Sequence, residues 1–164
     1  MRIKYLAFIL CVASAGLHPG MAVADEQSAE MSVETVNKAT EDFYAALNQM
    51  FVGDLAPMEK VWSHNADVTY TGPTGGIHVG WENILPIWRE QAALKLGGKI
   101  EIKDIHVISG ADLAVVSNYE IGENTMNGEI QKVELRATNI FRKENGQWKM
   151  IGHHTDLLPW LAKK

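Results

Sequence analysis

Asn139, His154 and Asp156 are the residues whose types and spacing best suit chemistry. They lie in a C-terminal stretch, Ala137 to Asp156, in which two strand-like runs flank Asn145-Gly146. That dipeptide is the strongest short-range signal for a two-residue hairpin turn. With that turn, Phe141 faces Met150, Asn139 faces Gly152 and Ala137 faces His154, all on one side of the hairpin, because strand side chains alternate. On this side large apolar residues near the turn give way, twice, to a polar residue beside a small one. The pattern predicts a cavity wall with Asn139 and His154 pointing inward. Asp156 follows His154 by two residues, roughly 6–7 Å along a strand. A carboxylate within reach of an imidazole fixes its tautomer and raises its basicity. His154 would then be a general base, with Asn139 as oxyanion donor. The plainer reading makes His154 a wall residue that only hydrogen-bonds a ligand.

His153 falls on the other face, with Lys149, Ile151 and Thr155, and is expected to meet solvent or a dimer partner. Adjacent strand residues point to opposite faces, so His153 and His154 cannot share one metal ion. No other cluster has ligand spacing, so neither a metal nor a cofactor is expected. Phe43, Trp62, Tyr70 and Trp88 supply aromatic area for an apolar cavity with few polar anchors, the usual make-up of a small-molecule site. The bland role for such residues is core packing. Ligand contacts are therefore expected from Phe43, Trp62, Tyr70, Trp88, Asn139 and His154. His64 and His78 flank the first strand and read as loop histidines. Asn118 and Tyr119 lie mid-strand on opposite faces, so only one points inward.

The elements that must position these residues are helices followed by strands. Ser32 is placed to cap a helix with the stripe Val36, Phe43, Leu47 and Met50, stopped by Gly53. Asp54 is placed to cap a short second helix carrying Leu55, Met58, Val61 and Trp62, with Pro57 in its first turn. A strand over 66–71 precedes the turn-rich Gly72 to Gly76, whose glycines would let it act as a lid. A third helix begins at Trp81 or, as Pro86 favours, at Asn83, and runs to Leu96, closed by Gly97-Gly98. Strands are expected over 100–108, 113–121, 130–142 and 148–155. The class is α+β, a curved antiparallel sheet packed on helices.

The N-terminus carries Arg2 and Lys4, an apolar run from Tyr5 to Ala15, and the small-x-small signature Ala22-Val23-Ala24 before Asp25. This is the pattern of a secretory signal peptide cleaved after Ala24. The apolar run is short of the roughly 20 residues a membrane span needs. A lipoprotein reading of Cys11 fails on Phe8-Ile9-Leu10, which lacks the expected small residue. Residues 1–24 are thus expected to be a signal peptide, 25–31 a flexible leader and 32–164 a single domain. Removing 24 residues from 164 leaves 140 and takes away Cys11, the only cysteine. Thirteen basic residues then remain against twenty acidic ones, a net charge of −7. No basic cluster survives, which argues against nucleic acid or an anionic membrane surface as partner. The expected location is periplasmic or secreted, with no membrane association after cleavage.

The order of these elements, with Phe43-Tyr44-Ala45-Ala46-Leu47-Asn48, Gly53-Asp54-Leu55, Gly80-Trp81-Glu82-Asn83-Ile84 and the run Thr138 to His154, resembles SnoaL-like proteins of the nuclear transport factor 2-like superfamily. The resemblance implies a cone-shaped sheet wrapped around N-terminal helices, open at one end, and a homodimer. It does not fix the chemistry, because this scaffold serves isomerases, dehydratases, cyclases and binding modules. Ketosteroid isomerases need a tyrosine, a base aspartate and a protonated aspartic acid. The matching positions here hold Phe43, Gly72 or Thr71, and Asn139, so that chemistry is not implied. The C-terminal strand also resembles the association domain of calcium/calmodulin-dependent protein kinase II. There, histidines stand at the places of Gly152 and His154 and an arginine at that of Asn139; only His154 is kept. Three roles follow: a domain binding a small, largely apolar molecule; an isomerase-, dehydratase- or cyclase-type enzyme with His154 and Asp156 as base; and a dimerisation module. Whether the chain is an enzyme stays open at this point.

Overall fold

The computed structural model describes residues 19–73 and 75–156. The signal-peptide expectation falls mostly on residues outside this range. The first helix, α1 (Pro19–Met50), begins well before Ser32 and covers the expected leader. Ser32 does not cap it; its hydroxyl lies 2.7 Å from that of Ser109 instead. Val36, Thr40, Phe43, Leu47 and Met50 are all buried, spaced so that one stripe of the helix meets the sheet. Gly53, with φ +98°, turns the chain after the last helical residues, a conformation that costs glycine little. Asp54 Oδ1 accepts the Ala56 N–H at 3.1 Å at the start of α2 (Ala56–Val61). Two short strands, β1 (Thr69–Thr71) and β2 (His78–Val79), lead into α3 (Trp81–Leu94).

Helix α3 takes the earlier start, with Pro86 inside it. Proline removes one N–H and the bond it would give to the carbonyl four residues back. That carbonyl belongs to exposed Glu82, where water can serve it. Trp81, Ile84, Trp88 and Ala92 form the buried face. The helix ends two residues sooner than expected, with Lys95 rather than glycine in the left-handed conformation.

Four long strands follow: β3 (Lys99–Ser109), β4 (Leu113–Met126), β5 (Glu129–Glu144) and β6 (Gln147–Asp156). Residues 122–126, expected in a loop, extend β4 instead. The turn contracts to Asn127-Gly128, which like Asn145-Gly146 has two positive φ angles, at 54° and 81°. These are the mirror-image turns whose twist suits a hairpin. The six strands form one curved, unclosed sheet in the order β2-β1-β6-β5-β4-β3. It is antiparallel except where β1 runs parallel to β6. The α+β class and the helix-backed curved sheet expected from the sequence are thus present. Among the described residues, no helix is long and apolar enough to cross a membrane.

One local feature of β6 decides the site. Near the turn Phe141 pairs with Met150 as expected, but the next pair is Ile140 with Gly152. Ile151 is an extra residue, a bulge, and beyond it the pairing slips by one. Asn139 therefore faces His153, Thr138 faces His154, and Ala137 faces Thr155. A one-residue slip turns every later side chain to the opposite face. The expected pairs Asn139 with Gly152 and Ala137 with His154 are corrected accordingly. Gly152 sits where an added Cβ would lie 3.2 Å from Thr69 Oγ1 and from Ile140 Cδ1. Such close approach is a common reason for glycine inside a strand.

Candidate functional site

A cavity of about 690 Å³ opens between α1, α3 and the inner face of the sheet. Leu47 of α1, Phe51 in the turn after it, Ile87 and Trp88 of α3, and Leu135 of β5 give it apolar walls. Tyr70 of β1, Gln91 of α3, Glu120 and Asn124 of β4, and His153 and Thr155 of β6 add polar groups. Pro73, from the turn-rich segment, also lines it.

Glu120 and His153 are the chemically distinctive pair. Glu120 is 3 % exposed and His153 5 %, and His153 Nε2 lies 3.6 Å from Glu120 Oε1. The imidazole is caged by aromatic rings: Tyr70 stacks parallel to it at 6.0 Å, Phe43 lies at 4.9 Å and Trp88 at 6.5 Å. A buried polar network supports the pair. His153 Nδ1 is 2.7 Å from Asn139 Oδ1. Asn139 Nδ2 donates to Asn118 Oδ1 at 2.9 Å and to the Tyr44 hydroxyl at 3.2 Å. Asn118 Nδ2 donates to the same hydroxyl at 2.9 Å. Tyr44 in turn donates to Glu120 Oε1 at 2.9 Å.

Burial sets the charge states, because moving an ion out of water costs more than any single neighbour returns. The Glu120 carboxyl is pushed up to about 7 by burial, and the Tyr44 hydrogen bond only partly offsets this. His153 is pushed down to about 3 by burial and, secondarily, by the charge of His154. Burial and the Glu120 charge both push the Tyr44 hydroxyl up. Around neutral pH, then, an uncharged imidazole faces a carboxyl close to its midpoint. A buried carboxyl and imidazole with displaced pKa values, on a cavity wall, are common marks of acid–base chemistry.

The sequence-derived candidates separate across the sheet. Asn139 is fully buried and joins the network, one residue removed from the cavity behind His153. Tyr70 and Trp88 line the cavity. Phe43 packs on His153, while Trp62 packs against Trp81 and Trp88 in the core and is not among the lining residues. His154 lies on the outer face, exposed, in a shallow groove with His106, Tyr119 and Arg136. Asp156 is claimed by Arg136, its cross-strand partner, through bonds of 3.1 and 2.5 Å. That ion pair holds the Asp156 carboxyl below its ordinary value. Asn139 and His154 thus point to opposite faces, and Asp156 is engaged elsewhere. His153, expected on the outer face, takes the inner position because of the Ile151 bulge. Asn118 points inward and Tyr119 outward.

Glu120 and Tyr44 were not singled out by the sequence reading. The available signal was parity: Ala114, Val116, Asn118 and Glu120 share one face of β4, so an acid sits on an otherwise apolar or amide-bearing face. Among the described residues, Trp88 Nε1 and Thr155 Oγ1, both buried, find no hydrogen-bond partner, and both residues border the cavity. Among the described residues, no group of three or more histidine, cysteine or acidic side chains is placed to hold a metal ion.

A family model described as a SnoaL-like domain matches residues 36–157. Among curated proteins none matches the chain. Of solved structures, a candidate dehydratase of the nuclear transport factor 2-like family from Streptomyces avermitilis is similar, at 23 % identity and a TM-score of 0.70, over 79 % of this chain and 98 % of that one. A candidate calcium/calmodulin-dependent protein kinase type II association domain from Thiobacillus denitrificans has 26 % identity and a TM-score of 0.63, over 76 % and 95 %. A nuclear transport factor 2-like protein with a cystatin-like fold from Novosphingobium aromaticivorans has 14 % identity and a TM-score of 0.67, over 90 % and 95 %. The match to residues 36–157 spans helices, cavity and sheet alike, and the chain belongs to the SnoaL-like domain family.

Proposed function

We propose that the chain binds a small, largely apolar molecule in its cavity and transfers a proton on it, in an isomerase-, dehydratase- or cyclase-type reaction that uses Glu120 and His153. The buried, close-set Glu120–His153 pair on the cavity wall carries this reading. A binding module needs apolar walls and a few anchors, which Leu47, Trp88 and Leu135 with Tyr70 and Gln91 supply. It does not need a carboxyl whose charge burial strongly disfavours. A group of that kind near neutrality is suited to giving and taking protons. The pair replaces His154 and Asp156 as the proposed acid–base groups.

Cavity binding is tested with a neutral naphthalene fluorophore, whose emission shifts to the blue in apolar surroundings. Wild-type protein is expected to bind it saturably, and Leu135→Trp, which fills the cavity from β5, to lose the saturable shift while keeping its fold. Saturable binding unchanged in Leu135→Trp would place the probe elsewhere and remove this support.

The same reading takes the protein to act after export, supported by Arg2, Lys4, the apolar run and Ala22-Val23-Ala24. Amino-terminal sequencing of protein purified from its native source is expected to begin at Asp25. A sequence beginning at Met1 would contradict export by cleavage at this site.

A further inference from the structure

Hydrogen-bond directions in the buried network can be counted from one fixed point. The backbone carbonyl of Tyr119 only accepts, and it lies 3.2 Å from Asn118 Nδ2. This assigns the amide nitrogen of Asn118 to that side and turns Asn118 Oδ1 toward Asn139. An oxygen at 2.9 Å there requires the nitrogen of Asn139 to face it. The remaining atom of that amide, Asn139 Oδ1, then faces His153 Nδ1 at 2.7 Å and only accepts. Nδ1 must carry the proton, and in an uncharged imidazole the other nitrogen is then bare. The Tyr44 oxygen fits the same count. It accepts from both amide nitrogens, which uses its two lone pairs, and gives its single proton to Glu120 at 2.9 Å rather than to the more distant Asn118 Oδ1 at 3.3 Å.

We propose that Asn139 is a positioning residue that locks His153 in the Nδ1–H tautomer, so that a bare Nε2 stands beside Glu120 as a hydrogen-bond acceptor that orients the ligand, while Glu120 moves the proton. The chain of four groups runs from a main-chain carbonyl in β4, through Asn118 and Asn139, to the imidazole in β6. No group in it can be reversed alone without setting acceptor against acceptor or donor against donor. The lock exists only because the Ile151 bulge places Asn139 opposite His153. It also specifies the ligand chemistry at this point: a hydroxyl or an N–H, since a bare Nε2 accepts a hydrogen bond and repels a carbonyl oxygen. This inference rests on the proton-transfer reading of the same site, but its assay does not.

The test is long-range proton–nitrogen NMR of protein with nitrogen-15 histidine, at about pH 8, where an unperturbed imidazole is uncharged. Wild-type His153 is expected to show a protonated Nδ1 and an unprotonated Nε2. Asn139→Asp keeps the oxygen that faces Nδ1, with its other oxygen protonated toward Asn118 Oδ1, and is expected to keep that pattern. Asn139→Leu removes it and is expected to shift His153 toward the Nε2–H form, a change that loss of packing alone would not produce. An Nε2–H tautomer in wild-type protein would overturn the proposal, whether or not Asn139→Leu folds. So would an Asn139→Leu spectrum identical to wild type. The fluorophore titration on the same samples separates the two ideas. Nδ1–H without probe binding supports the lock and counts against the ligand reading, whereas probe binding with Nε2–H does the reverse.

Discussion

Glu120→Gln is expected to make the protein more stable above neutral pH and to leave its stability nearly unchanged in mild acid. The folded-state carboxyl titrates at about 7 against an ordinary value of 4.5. Its folded pKa is raised, so the native state holds the proton more tightly than the unfolded chain does. The corresponding stability is fully present below about pH 4.5 and is lost as pH rises through about 7. A shift of that size is worth about 3 kcal/mol. Glutamine cannot titrate, keeps an oxygen for the Tyr44 proton and matches the shape of the protonated acid. Above about pH 8 the variant should therefore gain up to about 3 kcal/mol on wild type, with the gain fading toward pH 4.5. His153 contributes in the opposite sense. Its folded pKa is depressed, so its stability is present above about 6.5 and lost as pH falls toward about 3. That contribution is common to both proteins and cancels in their difference. Urea unfolding of the two across this range reads the prediction, and parallel stability curves would sink it. Under the proposed proton transfer the same substitution should abolish turnover, the usual trade when a costly group serves a site.

Tyr44→Phe is expected to be among the most damaging conservative changes in the chain. The hydroxyl serves Asn118, Asn139 and Glu120 together. Its loss leaves one buried acceptor and two buried donors short of a partner, against no gain, since phenylalanine fills the same space. Orphaning a buried polar group costs about 1–3 kcal/mol, more when the group is charged. A total loss of about 3 kcal/mol or more is expected, greatest above neutral pH, where Glu120 is ionised and depends most on the Tyr44 proton. The substitution should also raise the Glu120 pKa further, because that hydrogen bond is what holds it down. Thermal unfolding with a carbon-13 titration of the Glu120 carboxyl measures both effects. A loss near zero with an unmoved titration would mean that the network is not formed as described.

Much of the frame was legible because local signals agreed with one another. The stripe Val36, Phe43, Leu47, Met50 and the Asn145-Gly146 turn each had one physical solution, and the structure adopts it. The length of β4 was not legible, because Gly122 and Asn124 read as loop residues while the sheet holds Gly122 by pairing on both sides and Asn124 by pairing with Gln131 of β5. For the site, a cavity wall on the C-terminal hairpin and an inward Asn139 followed from alternation. The choice between His153 and His154 did not, because alternation carries no record of an inserted residue. One bulge at Ile151 inverted the parity of every residue after it. Gly152 was the available clue, since an isolated glycine in a strand marks bulges and close approaches. Glu120 was missed for a different reason: an acid mid-strand is ordinarily a solvent-facing residue, and only long-range burial made it otherwise.

The most direct test is native mass spectrometry of protein purified from its own source, with His153→Gln and His154→Ala variants prepared alongside. The account predicts a small molecule retained by wild type and by His154→Ala, and lost from His153→Gln with its fold intact. A molecule kept by His153→Gln and lost from His154→Ala would contradict it, and would return the site to the outer face of the sheet.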